Sequence, residues 1–509
     1  MQIRTVFRLI QNEIVEESRR NYVENWRKVI SDTEIKYNDP KTFWTNIRRL
    51  QDGKQEIIPY LKDERGNKIY KDEDKEKEFR KIWKDVFRIT EEENRNFCRT
   101  TEREVNEYLE ANKRRMQPYT CTDLNRLDPN DYLTRPIENY QIKQIIKNFK
   151  DKSPGYSGIR KSILDQLPSI AVEKFREIHN LALSMGYFPQ IYKLAILCLI
   201  LKPGKVGTDP INYRPISLLE VTGKIYERII NERLMKFLEQ NNKLNTNQYG
   251  FRKNKGTQTA IAKLYEIISM TQRQHNRCNI VYRDISKAFD KVWHGGIKYK
   301  LLHLELPRTI EKTLCSFLDD RFVRIRINNT IGRHIPLESR VPQGSILSPT
   351  LFIFYTADLP QPGQGSYDIT FADDNTQIVT YEGTSRNMLA IKTIREMKRI
   401  NRYETKWKIN TNKAKFQLLS ISSLKPSDIT IDGQRIPFKN RIRVLGLTLT
   451  TRGASCHIKE RISRAKTQLN MIKRFGDMNE KINLHLYKAL IRPIMEYPPI
   501  PYAIWQNPT

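Results

Sequence analysis

Hydrophobic and polar positions divide the chain into three stretches. Over residues 1–115, apolar side chains recur at helical spacing among many charges: Trp26, Val29 and Ile30, then Phe43, Trp44, Ile47 and Leu50, with Asp39-Pro40 as a break. Strand signal is almost absent, so this stretch predicts a charged helical extension, and its Lys/Glu run Asp72–Lys81 predicts an exposed helix face or a linker. From about Pro136 the pattern becomes mixed. Ser153–Gly158 reads as a loop, Ile191–Pro203 as a strand, and Val221–Gln240 as an amphipathic helix with Ile225, Ile229, Leu234 and Leu238 on one side. Asn279–Asp284 is an extended run that leads into a turn and helix, Ile285–Val292. Ser339–Thr350 is a Pro- and Gly-punctuated loop opening the apolar helix Leu351–Tyr355. Tyr367–Val379 alternates about a turn and predicts a β-hairpin. After about residue 450 the chain is helical again, over Ile458–Phe475 and Ile482–Met495.

The hairpin carries the chemistry. Its turn is Phe371-Ala372-Asp373-Asp374, which puts two carboxylates side by side. Adjacent carboxylates repel, so an ordinary hairpin gains little from them, whereas a divalent cation removes the repulsion and suits oxygen ligands. Asp284, ending an extended run, is poorly placed for stability, because a buried unpaired carboxylate is costly. It is well placed to reach a cation beside the hairpin. Asp284, Asp373 and Asp374 together offer three carboxylates for two cations, the set that in-line nucleotidyl transfer requires. Between the two acid sites, Gln343 and Ser345 of the Pro-Gln-Gly loop can bond a sugar or phosphate, and Gly344 allows close backbone approach.

In this order the elements resemble the conserved stretches of reverse transcriptases, most closely those of non-LTR retrotransposons of the jockey-like group. The resemblance rests on Asn212–Leu219, Gln248–Lys253, Asp284–His294, Val341–Ser345, the Phe371 tetrad, Lys408–Lys413 and Val444–Leu447. It implies an α+β right-hand polymerase of fingers, palm and thumb, with an antiparallel palm sheet backed by helices. The expected boundaries are an extension over 1–115, fingers and palm over 136–449 (core 182–449), and a helical thumb over 450–509. It implies catalytic Asp284, Asp373 and Asp374 holding two Mg²⁺ ions, for which Mn²⁺ can substitute, and Lys413 as a proton donor near the pyrophosphate. Lys202 and Arg214 would hold the incoming dNTP in the fingers. Phe289 would lie beneath its sugar and exclude a 2′-hydroxyl, and Gln343 and Gly344 would touch the nascent pair. Arg252 and Lys253 at a loop tip suit template–primer phosphates, and the Leu445-Gly446 turn would grip the primer. The implied partners are an RNA template, a DNA primer or nicked target DNA, and dNTPs. The implied reaction is RNA-directed DNA synthesis in target-primed reverse transcription.

Composition agrees with a polyanionic partner: Lys and Arg outnumber Asp and Glu by 89 to 58, a net charge of +31. The six cysteines form no CxxC pair, which predicts free thiols and no zinc knuckle. The longest apolar run, Leu194–Leu201, is too short to span a bilayer, and the N-terminus lacks a signal-peptide core. A nuclear or cytoplasmic ribonucleoprotein is expected, neither secreted nor membrane-bound, and without an endonuclease, RNase H or zinc-knuckle segment. Four features depart from the family pattern. Ser157 stands where Asp is usual, Arg340 where a small residue precedes Val-Pro-Gln-Gly, and Ala357 where Asn is usual, while the stretch after Leu449 lacks a Trp. Arg340 is expected to turn outward, toward Glu338. These departures leave open a catalytically decayed nucleic-acid-binding relic, and Asp290 beside Phe289 leaves open an RNA-directed RNA polymerase.

Overall fold

The computed structural model describes residues 58–498 except 59, 64, 89–93, 121–126, 151–152, 203, 275, 286–287, 329, 338, 384, 410, 412–414, 422–428, 452–454 and 474–478. Asp284, Arg386 and Ser455 are described in backbone only. The apolar positions from Trp26 to Leu50, and Lys413, lie outside the described residues. The chain divides into two compact units, Ile58–Ile442 and a second whose described part runs from Arg443 to Pro498.

The larger unit is built on two four-stranded sheets. One is antiparallel throughout, in the order Gln417–Ile421, Arg277–Asp284, Asp374–Tyr381, Ser366–Phe371. Helices Arg386–Lys406 and Thr257–Arg273 back it, as expected for a palm. The other runs Tyr213–Leu218, Leu194–Leu201, Phe322–Ile327, Thr330–Pro336, with its two central strands parallel. The strand expected from Ile191 begins at Leu194, because a 3₁₀ turn at Gln190–Lys193 precedes it.

Helical periodicity was a reliable guide. Val221–Gln240 is one helix, and its Ile225, Ile229, Leu234 and Leu238 are all buried in the main core. Every described residue of helix Leu347–Tyr355 except Pro349 is also buried. The charge run at Asp72 is not a linker but part of one helix, with Glu73, Lys77 and Lys81 on its exposed side. It opens helix Asp72–Val86, which packs on the second sheet and buries Phe79, Trp83 and Val86. Lys75 is buried too, its Nζ donating to the Ile58 carbonyl at 2.8 Å and to Asp72 at 3.1 Å. A two-stranded hairpin, Leu61–Lys62 with Lys68–Ile69, precedes this helix where no strand was expected.

Strand Arg441–Val444, which begins in the last two residues of the larger unit, and strand Leu447–Thr450 form a hairpin followed by helix Ser455–Lys473. The helix expected over Ile482–Met495 is interrupted by a π-helical stretch, Tyr487–Ile491. Five cysteines are free thiols, and Cys121 lies outside the described residues. Among the described residues no helix is long and apolar enough to cross a membrane.

The palm strand is anchored to its backing helix by a buried ion pair. Arg283 Nη2 donates to Glu404 Oε2 at 2.7 Å and to Asn401 Oδ1 at 2.8 Å, and the guanidinium lies 4.7 Å from the Phe416 ring centroid. Breaking a buried pair strands the surviving charge, which costs about 3–5 kcal/mol, whereas replacing both partners with apolar groups is often near neutral. Arg283→Met should therefore destabilise the protein by about 3–5 kcal/mol in chemical denaturation. Arg283→Met combined with Glu404→Leu should recover most of that loss. A neutral single variant would contradict the pairing.

Candidate active site

The hairpin closes as the alternating pattern predicted. Phe371 pairs with Asp374, so Ala372 and Asp373 form a two-residue turn. Ala372 has φ +56°, a left-handed conformation that a residue with a Cβ adopts only when its surroundings hold it there. Those surroundings come from the Gln248 stretch. Gln248 is buried, and its Oε1 accepts from the amides of Ala372 (2.9 Å) and Gly250 (2.8 Å) while its Nε2 donates to the Ala372 carbonyl. Backbone bonds Tyr249 N to Thr370 O and Thr370 N to Asn247 O complete the brace. Gly250 is obligatory here, because a Cβ at that position would lie 2.5 Å from the Ala372 nitrogen.

Strand register brings the acids together. Asp284, the last residue of its strand, is the direct register partner of Asp374. Asp373 and Asp374 are both half-buried. Tyr282, two residues before Asp284 and so on the same face, donates its hydroxyl to Asp374 Oδ1. Tyr282 was not foreseen, although the period-2 spacing from Asp284 contained the signal.

The Pro-Gln-Gly loop lies against the second sheet. Gln343 O accepts from Ser217 N at 2.8 Å, and Gly344, at φ +121°, passes so close that a Cβ would sit 2.5 Å from the Ser217 carbonyl. Buried Glu227 caps the following helix, accepting from Ser345 Oγ and Ile346 N, both at 2.6 Å. Gln343 Nε2 donates to Asp290 Oδ2 at 3.0 Å. Phe289 is half-buried, stacked on Phe352 at 5.0 Å and edge-on to Phe251 at 6.2 Å.

Other expected site residues divide. Lys202 is half-buried at the end of the second sheet, its Nζ donating to the Ile211 carbonyl at 2.8 Å. Burial and then the nearby Arg214 guanidinium hold its ammonium below the ordinary value. Arg214 and Lys253 are exposed. Arg252 is not a free loop-tip cation. Its guanidinium forks onto Glu239 (2.9 and 2.5 Å) and donates to the Asn245 carbonyl at 2.7 Å, which braces the loop. Leu445 and Gly446 form the left-handed turn of the smaller unit's hairpin, where Tyr497 donates its hydroxyl to the Leu445 carbonyl at 2.8 Å.

Two departures from the family pattern come with partners. Ser157 donates its hydroxyl and its amide to the buried carboxylate of Glu220, so an Asp there would set two carboxylates together. Arg340 does not turn outward. It is fully buried, with Nη2 donating to Pro215 O (3.1 Å) and Ser217 Oγ (3.0 Å), Nε 3.3 Å from Asp290 Oδ1, and the guanidinium 4.4 Å from the Phe87 ring centroid. The outward pose fails because this inward pocket supplies a carboxylate, two oxygen acceptors and an aromatic face.

Residues 200–449 match the family model described as reverse transcriptase (RNA-dependent DNA polymerase). The chain carries a reverse transcriptase domain. The probable RNA-directed DNA polymerase from transposon X-element of Drosophila melanogaster is 28% identical over 428 residues, covering 79% of this chain and 47% of the relative. That from transposon BS of the same species is 28% identical over 394 residues (74% and 43%), and that from mobile element jockey is 27% identical over 411 residues (78% and 43%). The chain thus spans under half the length of these curated relatives. The two-sheet α+β architecture is that of a right-hand polymerase.

Reverse transcriptases in general use divalent metal ions, and the all-carboxylate set of Asp284, Asp373 and Asp374 fits a hard cation. Ions held there would stabilise an attacking 3′-oxygen and the charge on a leaving pyrophosphate. The protein's own part is to present two adjacent carboxylates at a hairpin tip braced by Gln248 and by the close approach of Gly250. Gly250→Ala, which forces its Cβ into the Ala372 amide, should lower the primer-extension kcat at least about a hundredfold, a loss of some 2.7 kcal/mol in transition-state stabilisation. The melting midpoint should stay within a few degrees. Wild-type kcat in Gly250→Ala would show that the hairpin needs no brace.

Proposed function

We propose that this chain is an RNA-directed DNA polymerase of a non-LTR retrotransposon. It adds deoxynucleotides to a primer 3′-hydroxyl on an RNA template, with Mg²⁺ as the ion held by Asp284, Asp373 and Asp374. The observation that carries the proposal is the register pairing of Asp284 with Asp374 beside the Asp373 turn, inside a reverse transcriptase domain. Arg214 of the second sheet and Lys202 just beyond its strand Leu194–Leu201, with Gln343 and Gly344, form the nucleotide side of the site. Lys413 is the proton donor to pyrophosphate, and Lys253 with Leu445-Gly446 contacts template and primer. The biological setting is target-primed synthesis from nicked DNA, in a nuclear or cytoplasmic ribonucleoprotein.

Deoxynucleotide selection follows from Phe289. Its ring is fixed by Phe352 and Phe251, while the adjacent Asp290 is buried and engaged by Gln343 and Arg340. Asp290 is therefore not placed to bond a ribose 2′-hydroxyl, which supports DNA over RNA synthesis. Extension of oligo(dT) on poly(rA) should proceed with dTTP and far more slowly with UTP. Asp373→Asn should abolish extension while RNA affinity is kept or slightly improved, since it removes a negative charge facing a polyanion. Loss of binding in parallel would make the acids structural. Phe289→Val should admit ribonucleotides, and an unchanged ratio of dTTP to UTP use would reduce Phe289 to a core aromatic.

A further inference from the structure

Arg340 has φ +100°, in the left-handed region that favours glycine, and it buries a guanidinium completely. Both features are unfavourable unless the side chain is held from several directions, and it is. Three separate parts of the larger unit meet on it. The second sheet supplies Pro215 O and Ser217 Oγ, and the turn after Asp284 supplies the Asp290 carboxylate. The segment leaving helix Asp72–Val86 supplies the Phe87 ring. Its backbone is fixed as well: Arg340 N donates to Val292 O at 3.2 Å, and His294 Nε2 donates to Arg340 O at 2.8 Å. The neighbouring Ser339 N donates to Phe87 O at 3.1 Å. The other oxygen of Asp290 is the one that receives Gln343 Nε2.

We propose that Arg340 is a positioning residue for the incoming nucleotide, acting through Asp290 on Gln343 and through Ser217 on the backbone of the Pro-Gln-Gly loop. The inference rests on the polymerase reading above and extends it to a residue that the family pattern marks as a departure. Arg340 neutralises Asp290, so that a buried carboxylate can hold the Gln343 amide in one orientation. It also ties the strand that accepts Gly344's close approach to the same carboxylate. The Phe87 ring covers the remaining face of the guanidinium, which makes the segment before residue 88 part of the nucleotide pocket's support.

The test is steady-state extension of oligo(dT) on poly(rA), with KM for dTTP, KM for template–primer and kcat measured separately. Arg340→Met keeps bulk and removes charge. Ser217→Ala is a milder variant that removes a single acceptor and keeps the strand. Arg340→Met should raise KM for dTTP about tenfold or more, with KM for template–primer within twofold. Ser217→Ala should raise KM for dTTP two- to fourfold, and Arg340→Lys should lie between wild type and Arg340→Met. A fall in kcat alone, with KM for dTTP unchanged in Ser217→Ala and in whichever Arg340 variants fold, would overturn the proposal and leave Arg340 a structural residue. Absence of extension by the wild-type chain would instead refute the polymerase reading itself.

Discussion

The adjacent carboxylates of Asp373 and Asp374, one on a two-residue turn and one opening the strand after it, cannot hold themselves in place, and the neighbouring segments brace them. The turn residue before them is in a left-handed conformation without being glycine, which costs roughly 1–3 kcal/mol. Gln248 offsets this by satisfying both polar groups of Ala372, and Gly250 leaves the space in which it can do so. The strand carrying Asp284 is fixed in register against Asp374 and pinned to its backing helix by the Arg283–Glu404 pair.

The nucleotide side follows the same logic with opposite sign. A buried carboxylate, Asp290, is tolerable because Arg340 neutralises it, and a buried arginine is tolerable because Asp290, Ser217, Pro215 and Phe87 surround it. Ser157 finds the buried carboxylate of Glu220 in the same way. Substitutions left by decay would be expected to strand buried polar groups. Ser157 is matched by the Glu220 carboxylate, whereas Arg340 has an ion pair and two acceptors for Nη2 but leaves Nη1 buried without a hydrogen bond.

Legibility in the sequence tracked the range of the interactions. The helix Val221–Gln240 and the Asp373-Asp374 hairpin were readable because periodicity and turn chemistry are local. The register of Asp284 against Asp374 was only implied, since pairing across 90 residues of chain is not encoded in either strand alone. The Asp72 run left a linker open because its charges dominate the composition, while Phe79, Trp83 and Val86 on the other side of the helix decide its packing. Arg340 and Arg252 misled for a related reason. A lone cation in sequence looks solvated, and the carboxylates that claim these two, Asp290 and Glu239, lie 50 and 13 residues away. Tyr282 and Gln248 stood within stretches already singled out, yet their partners, the Asp374 carboxylate for one and the Ala372 and Gly250 backbone for the other, are shown only by the folded chain.

The proposed site predicts that a divalent cation held by Asp284, Asp373 and Asp374 offsets the repulsion between adjacent carboxylates. This is measured most directly by the melting midpoint of the chain as Mg²⁺ is titrated at constant ionic strength, for the wild type and for Asp373→Asn. Ligand binding to the native state alone raises the midpoint with concentration. The wild type should therefore be stabilised by Mg²⁺, and Asp373→Asn should start from a higher midpoint and respond much less. Equal responses in the two proteins, or none in the wild type, would contradict the account.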